Sequence, residues 1–195
     1  MNNVGSRVIG LICRAVQLLR GAFYRVVSTN SISGAPRRLQ PIQCNGLGNV
    51  TIGDSVTMGS HPSPSFFSTY AYLEARKESA SISIGSRTSI NNNFCAIAEH
   101  TSIVIGEDCL IGVNVEILDS DFHSLKFDER GASKPEWAQP VEVGNKVFLG
   151  SNVKILKGVN IGEGSVIANG TVVTKDIPSH VIAGGNPVRV IRALD

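Results

Sequence analysis

Fourteen apolar residues of this chain fall on a six-residue beat. Val143, Leu149, Ile155, Ile161, Ile167 and Val173 follow one another without a slip. Upstream the beat returns as Ile52 and Met58, then Ile84, Ile90 and Ala96, then Ile105, Ile111 and Ile117. Eight of the fourteen are followed directly by glycine. The fourth residue after a beat is usually small or β-branched, as at Val56, Thr88, Val147, Val153, Val159 and Thr171. A period of six fits neither a helix, near 3.6, nor an alternating strand, near 2. It fits a short strand plus a tight corner, with one side chain pointing inward each time.

Three such units make a triangular coil. Stacked coils pair as parallel strands about 4.8 Å apart. Their inward Ile/Val/Leu columns form one continuous core that no single coil buries alone. The reading is therefore an all-β solenoid, a parallel β-helix of hexapeptide repeats. The glycine after each beat is expected to supply backbone torsions closed to other residues.

Charge divides the chain. Residues 1–53 hold Arg7, Arg14, Arg20, Arg25, Arg37 and Arg38 and no acid, whereas the other 142 residues carry 12 basic and 16 acidic ones. Within segment 1–28, residues 4–27 read as one amphipathic helix. Arg7, Arg14, Gln17 and Arg25 lie on one side, and Val4, Val8, Leu11, Ile12, Ala15, Leu19, Phe23 and Val26 cover much of the other. It lacks the run of about 20 apolar residues that spans a bilayer. Two readings stay open: the helix packs on its own protein, or it lies on an anionic membrane surface. Residues 29–49 are a Ser/Gly/Pro-rich connector. The solenoid domain covers 50–178, interrupted by excursions 60–80 and 122–142, and 179–195 closes its end. The first excursion carries Phe66, Phe67, Tyr70 and Tyr72, read equally as a satellite core or a sugar-stacking surface. Cys13, Cys44, Cys95 and Cys109 show no paired spacing, which suits free thiols in a reducing, cytoplasmic compartment.

Three features together resemble the hexapeptide-repeat acetyltransferases: the hexads, Asp119–Ser120–Asp121–Phe122–His123 ahead of an excursion, and Val172–Val173–Thr174–Lys175–Asp176–Ile177–Pro178 followed by Gly185–Asn186–Pro187. The resemblance covers roughly residues 50–192. Ile90–Asn91–Asn92–Asn93–Phe94 and the aromatic excursion point to the O-acetyltransferases of bacterial surface polysaccharides (O-antigen and colanic-acid type). The resemblance implies a left-handed coil, although right-handed crossovers are the general rule. It also implies acetyl-CoA as co-substrate, a sugar or polysaccharide-precursor acceptor, no metal, and a homotrimer with sites shared between neighbours.

The same resemblance assigns residues. His123 is the general base, with Asp119 and Asp121 placed to orient or charge-tune its ring. Asn93 holds the acceptor near it, and Asp121 joins the substrate side. The Ser151 backbone N–H faces the thioester carbonyl. Asn169, Thr174 and Lys175 line the pantetheine groove, and Arg192, with Arg189 as a weaker candidate, meets the nucleotide phosphates. Phe148 stands where relatives often carry tryptophan, and Trp137 lies in the second excursion. The competing functions are acetylation of another small acceptor, such as a nucleotide-linked amino sugar or an antibiotic, and a non-catalytic scaffold. A zinc carbonic anhydrase of this fold needs three histidine ligands, and His100 and His123 lack a neighbouring third. No nucleic-acid-binding module is present in the sequence.

Overall fold

A computed structural model describes residues 3–131 and 133–194. Three parallel sheets run the length of the chain, one along each side of a triangular coil. The first sheet pairs Asn49–Ile52, Ser81–Ile84, Ser102–Ile105, Val141–Val143 and Asn160–Ile161. The second begins at Arg37–Arg38 and Thr57–Met58 and runs through Ser89–Ile90, Leu110–Ile111 and Phe148–Leu149 to Val166–Ile167. The third holds Ile42–Gly46, Ala71–Ala75, Cys95–Ala98, Glu116–Leu118, Lys154–Ile155 and Val172–Val173.

Register confirms the beat. Ile52, Ile84, Ile105, Val143 and Ile161 stack on the first side. Met58, Ile90, Ile111, Leu149 and Ile167 stack on the second, and Ala96, Ile117, Ile155 and Val173 on the third. All fourteen are no more than 3% exposed. Each buried Ile, Leu or Val contributes roughly 1.5–3 kcal/mol, so this column is the main stabilising feature of the domain. Most residues four after a beat fill the corners and are buried too, the exceptions being Pro62, His100 and Asp121, where the coil is interrupted or enlarged. Thr88 and Thr171 satisfy their hydroxyls on the carbonyls of Gly106 and Ala168.

The glycines act differently from the expectation. Of the eight that follow a beat, only Gly59 has a positive φ. The left-handed torsion falls two residues later, at Ser55, Arg87, Asn93, Asp108, Asn114, Lys146 and Asn152, and at Gly158, Gly164 and Gly170. Glycine follows the beat because successive coils touch there. A Cβ on Gly112 would stand 2.6 Å from the Ser151 nitrogen, and one on Gly162 2.4 Å from that of Ser179.

Two stretches read as connector and excursion contribute strands. Ile42–Gly46 pairs with Ala71–Ala75, and Ser33 bridges to Thr51, so coil structure begins ahead of residue 50. Leu73 and Ala75 are fully buried. The first loop proper therefore narrows to 60–70. Helix Asn3–Val26 packs beside it; Val4 and Arg7 lie outside the described side chains. At the far end Val181–Gly184 extends the second sheet, and Arg189–Ala193 folds back on it antiparallel.

Candidate active site

Each coil has three corners, and loops leave from two of them. The first corner joins the first and second sheets, the second corner joins the second and third, and the third corner leads back to the first sheet. Loop 60–70 leaves from the second corner and residues 119–140 from the third.

His123 opens the second loop at the third corner and is exposed. Its Nδ1 lies 2.7 Å from the carbonyl oxygen of Arg130. A carbonyl only accepts, so Nδ1 is the donor, and in the neutral ring the lone pair is then on Nε2. Neither aspartate orients the ring through its carboxylate. The His123 N–H donates to the backbone carbonyl of Asp121 at 2.7 Å, while the Asp121 carboxylate accepts from Lys157 Nζ. Lys157 Nζ also donates to the carbonyl of Trp137, which ties the two ends of the loop together. Asp119 is buried and accepts from the N–H groups of Glu99, His100 and Thr101. It holds the enlarged corner that lengthens the interval from Ala96 to Ile105 from six residues to nine. Phe122, between Asp121 and His123, has φ +60, a torsion that costs a bulky residue of order 1–3 kcal/mol and turns the chain outward at the candidate base.

Beneath this loop is a charged group with no motif in the sequence. Arg76 bridges Glu74 at 3.1 Å and Glu99 at 3.3 Å, and its guanidinium lies 4.9 Å from the centre of the Phe122 ring. Ser133 Oγ donates to Glu99 at 2.6 Å. Burial pushes the Glu99 carboxyl up, but hydrogen bonds from Ser133, Ser120 and Arg76 outweigh it and hold the group below the usual carboxylate range. Glu99 is thus a charged anchor from which the loop, through Ser133, and Phe122, through Arg76, are both held.

The second corner gathers Asn93 and Ser151. They line a cleft of ≈ 600 Å³ with Ser63, Ser65, Asn114 and Asn152. Asn93 Nδ2 donates to Asn114 Oδ1, and Asn114 Nδ2 donates to Asn152 Oδ1, both at 2.8 Å. All three asparagines are in the left-handed region, so Asn93 serves the corner as one rung of a ladder. The Ser151 N–H, assigned by resemblance to a thioester carbonyl, donates at 2.8 Å to Asn169 Oδ1 of the next coil. The same bond recurs between the Asp54 N–H and Ser86, between Ser60 and Asn92, and between Glu107 and Asn145. Asn169 therefore belongs to a repeated coil-to-coil staple.

The remaining assigned residues are spread around the far end. Thr174 and Lys175 are exposed at the third corner of the last coil. Arg189 and Arg192 are exposed on the edge strand, where their guanidinium groups donate to the carbonyls of Val188 and Ala193. Among the described residues Lys175, Arg189 and Arg192 form no ion pair, which leaves their charge available to an anion. One chain thus holds His123 at the third corner and Asn93, Ser151 and Asn169 at the second, separated by the width of the third sheet. Among the described residues no group of three or more His, Cys, Asp or Glu could hold a metal ion.

The hexapeptide repeat of succinyl-transferase matches residues 102–117 and 140–175. Over 118 residues, 58% of this chain and 57% of the relative, the sequence is 40% identical to galactoside O-acetyltransferase of Escherichia coli K12. It is 34% identical over 109 residues, 56% of this chain and 35% of the relative, to polysialic acid O-acetyltransferase of Escherichia coli O1:K1. The matched part thus spans about half or less of the length of these relatives. The fold matches a hexapeptide-repeat acetyltransferase of Vibrio cholerae solved with acetyl coenzyme A, with TM-score 0.58, 24% identity, and coverage of 99% of this chain and 91% of that one. The chain carries the hexapeptide repeat, and in sequence and in fold it is similar to the hexapeptide-repeat acetyltransferases.

Proposed function

We propose that this chain is an acetyl-CoA-dependent O-acetyltransferase acting on a sugar hydroxyl of a surface polysaccharide or its precursor, with His123 as general base. The observation that carries the reading is the His123 ring. Nδ1 is held on the Arg130 carbonyl, and among the described residues Nε2 has no hydrogen-bond partner on an exposed loop rim. Both curated relatives are named for O-acetylation of sugars or glycans. In the step proposed, Nε2 takes the acceptor's hydroxyl proton as that oxygen attacks the thioester carbonyl. A C–O bond forms, the C–S bond breaks, and the CoA thiolate leaves and recovers the proton from the imidazolium. General base catalysis of this kind contributes about 10²–10⁴-fold.

The other roles follow the resemblance. Asn93 and Asp121 sit on the acceptor side. Ser151 offers its N–H to the oxyanion, exchanging the Asn169 contact for it. Thr174 and Lys175 line the pantetheine path, and Arg189 and Arg192 meet phosphate. The coils wind left-handed. Because one chain holds the two halves of the site on different corners, the complete site forms between neighbouring copies of a homotrimer.

The test is CoA release from acetyl-CoA with a panel of sugar, amino-sugar and small-amine acceptors, for wild type and His123→Ala. The expected result is turnover on a sugar hydroxyl that falls about 10²–10⁴-fold in the variant, with acetyl-CoA affinity unchanged. Preference for an amine would replace O-transfer with N-transfer. Failure of wild type to bind acetyl-CoA would leave the scaffold reading.

A further inference from the structure

Helix Asn3–Val26 is seated on the prism by the side that carries its polar contacts. Cys13, Gln17, Arg20, Gly21 and Tyr24 are its half-buried residues, and at about 100° per residue they share one narrow arc. Gln17 Nε2 and Arg20 donate to the Phe66 carbonyl at 3.0 and 3.1 Å, and Arg20 also reaches the Thr69 carbonyl. The Tyr24 ring stacks on Tyr70 with centroids 4.2 Å apart. The aromatic loop is thus the seat of the helix.

The opposite arc is apolar and open. Val8, Leu11, Ile12, Leu19, Phe23 and Val26 are 50, 65, 57, 73, 60 and 83% exposed. An amphipathic helix on a globular domain normally does the reverse, burying its apolar stripe. An open apolar surface of this extent marks an interaction site.

Its rim is cationic. On the same helical wheel Arg14 and Arg25 fall beside Leu18 at one edge of the apolar arc. Arg25 and Arg38 line a recess of ≈ 490 Å³ with Ser28, Asn30 and Ser31. Burial and then repulsion from Arg25 lower the Arg38 pKa, which places the two guanidinium groups in one field. Residues 1–53 contain no acid, and among the described residues neither arginine forms an ion pair.

We propose that this face docks on an anionic phospholipid bilayer, with the helix in the interfacial plane and lipid phosphates received at Arg25 and Arg38. The pairing of an apolar shelf with uncompensated cations matches a lipid surface, where hydrocarbon and phosphate lie side by side. A second copy meeting this face two-fold would set the same arginines against their own counterparts. The helix lies on the membrane; no described helix is long and apolar enough to cross one.

The experiment is co-sedimentation of the full chain with vesicles of phosphatidylcholine, with and without about 30 mol% phosphatidylglycerol. Binding is expected only to the anionic vesicles, and to fall when salt is raised to about 0.5 M. Arg25→Gln with Arg38→Gln weakens it by roughly fivefold per arginine. Leu19→Glu with Phe23→Glu, both on exposed positions, abolishes it with the mass by light scattering unchanged. Wild type that ignores anionic vesicles at low salt would overturn the proposal, as would arginine variants that bind like wild type. A lower oligomeric mass in the Leu19/Phe23 variant would overturn it as well, by showing that another copy covers the face.

Discussion

Asp119 accepts from three consecutive backbone N–H groups, those of Glu99, His100 and Thr101, at 2.7, 3.2 and 2.9 Å, and from the Thr101 hydroxyl at 2.9 Å. It stands four residues before His123 in a motif that the sequence ties to chemistry, yet its carboxylate is spent on a neighbouring corner. Removing it leaves three backbone donors without a partner, each costing about 1–3 kcal/mol where water is excluded. Asp119→Ala is therefore expected to lower stability by at least about 3 kcal/mol in urea denaturation, and Asp119→Asn, which keeps one acceptor oxygen, by less. An alanine variant as stable as wild type would show that water replaces the carboxylate. His123 is the contrasting residue. The motif marks it in the sequence, but what fixes its tautomer is a backbone carbonyl seven residues on, set by loop geometry that no residue type announces.

Coil contacts decide which glycines matter. A Cβ at Gly112 meets the Ser151 nitrogen at 2.6 Å, the Gly150 carbonyl carbon at 2.8 Å and Ser151 Cα at 3.0 Å, all backbone atoms of the next coil. A Cβ at Gly131, in the second loop, meets nothing within 4 Å. Gly112→Ala should cost about 1–3 kcal/mol or more, because two strands must part, whereas Gly131→Ala should stay within about 0.5 kcal/mol. Melting curves of the two variants check this, and equal curves would refute the steric account. The six-residue period showed that a position without a side chain was required; it could not show whether torsion or a neighbour required it. The columns were legible because identical buried neighbours repeat. The first coil was not, since it stacks on one side only: Arg38 occupies the column position under Met58, where a second neighbour would have demanded an apolar residue. Leu73 was hidden because loop 60–70 breaks the count ahead of it. The helix was legible as amphipathic, but its seat is made of loop carbonyls of Phe66 and Thr69, which exist only once the coil is built.

At the scale of the molecule, the third sheet separates the two halves of the candidate site, with His123 at one edge and the Asn93–Ser151 cleft at the other. The proposed ring of three copies in head-to-tail contact would set the third corner of one chain against the second corner of the next, and it closes if each identical interface turns the chain by a third of a full rotation with no rise along the axis. Light scattering should then give about three times 20.7 kDa, near 62 kDa. Mass alone does not prove a shared site, but mixing does. His123→Ala removes the base and leaves the cleft, whereas Ser151→Trp fills the cleft and leaves the base. Each variant alone should be inactive. If every site takes its histidine from one chain and its cleft from the neighbour, co-expression at equal levels regenerates intact sites wherever the histidine of a Ser151→Trp chain meets the cleft of a His123→Ala chain. Random assembly makes about one site in four of this kind, so the mixture should recover about a quarter of wild-type turnover. If each chain builds its own site, every site in the mixture carries one defect or the other, and recovery is nil.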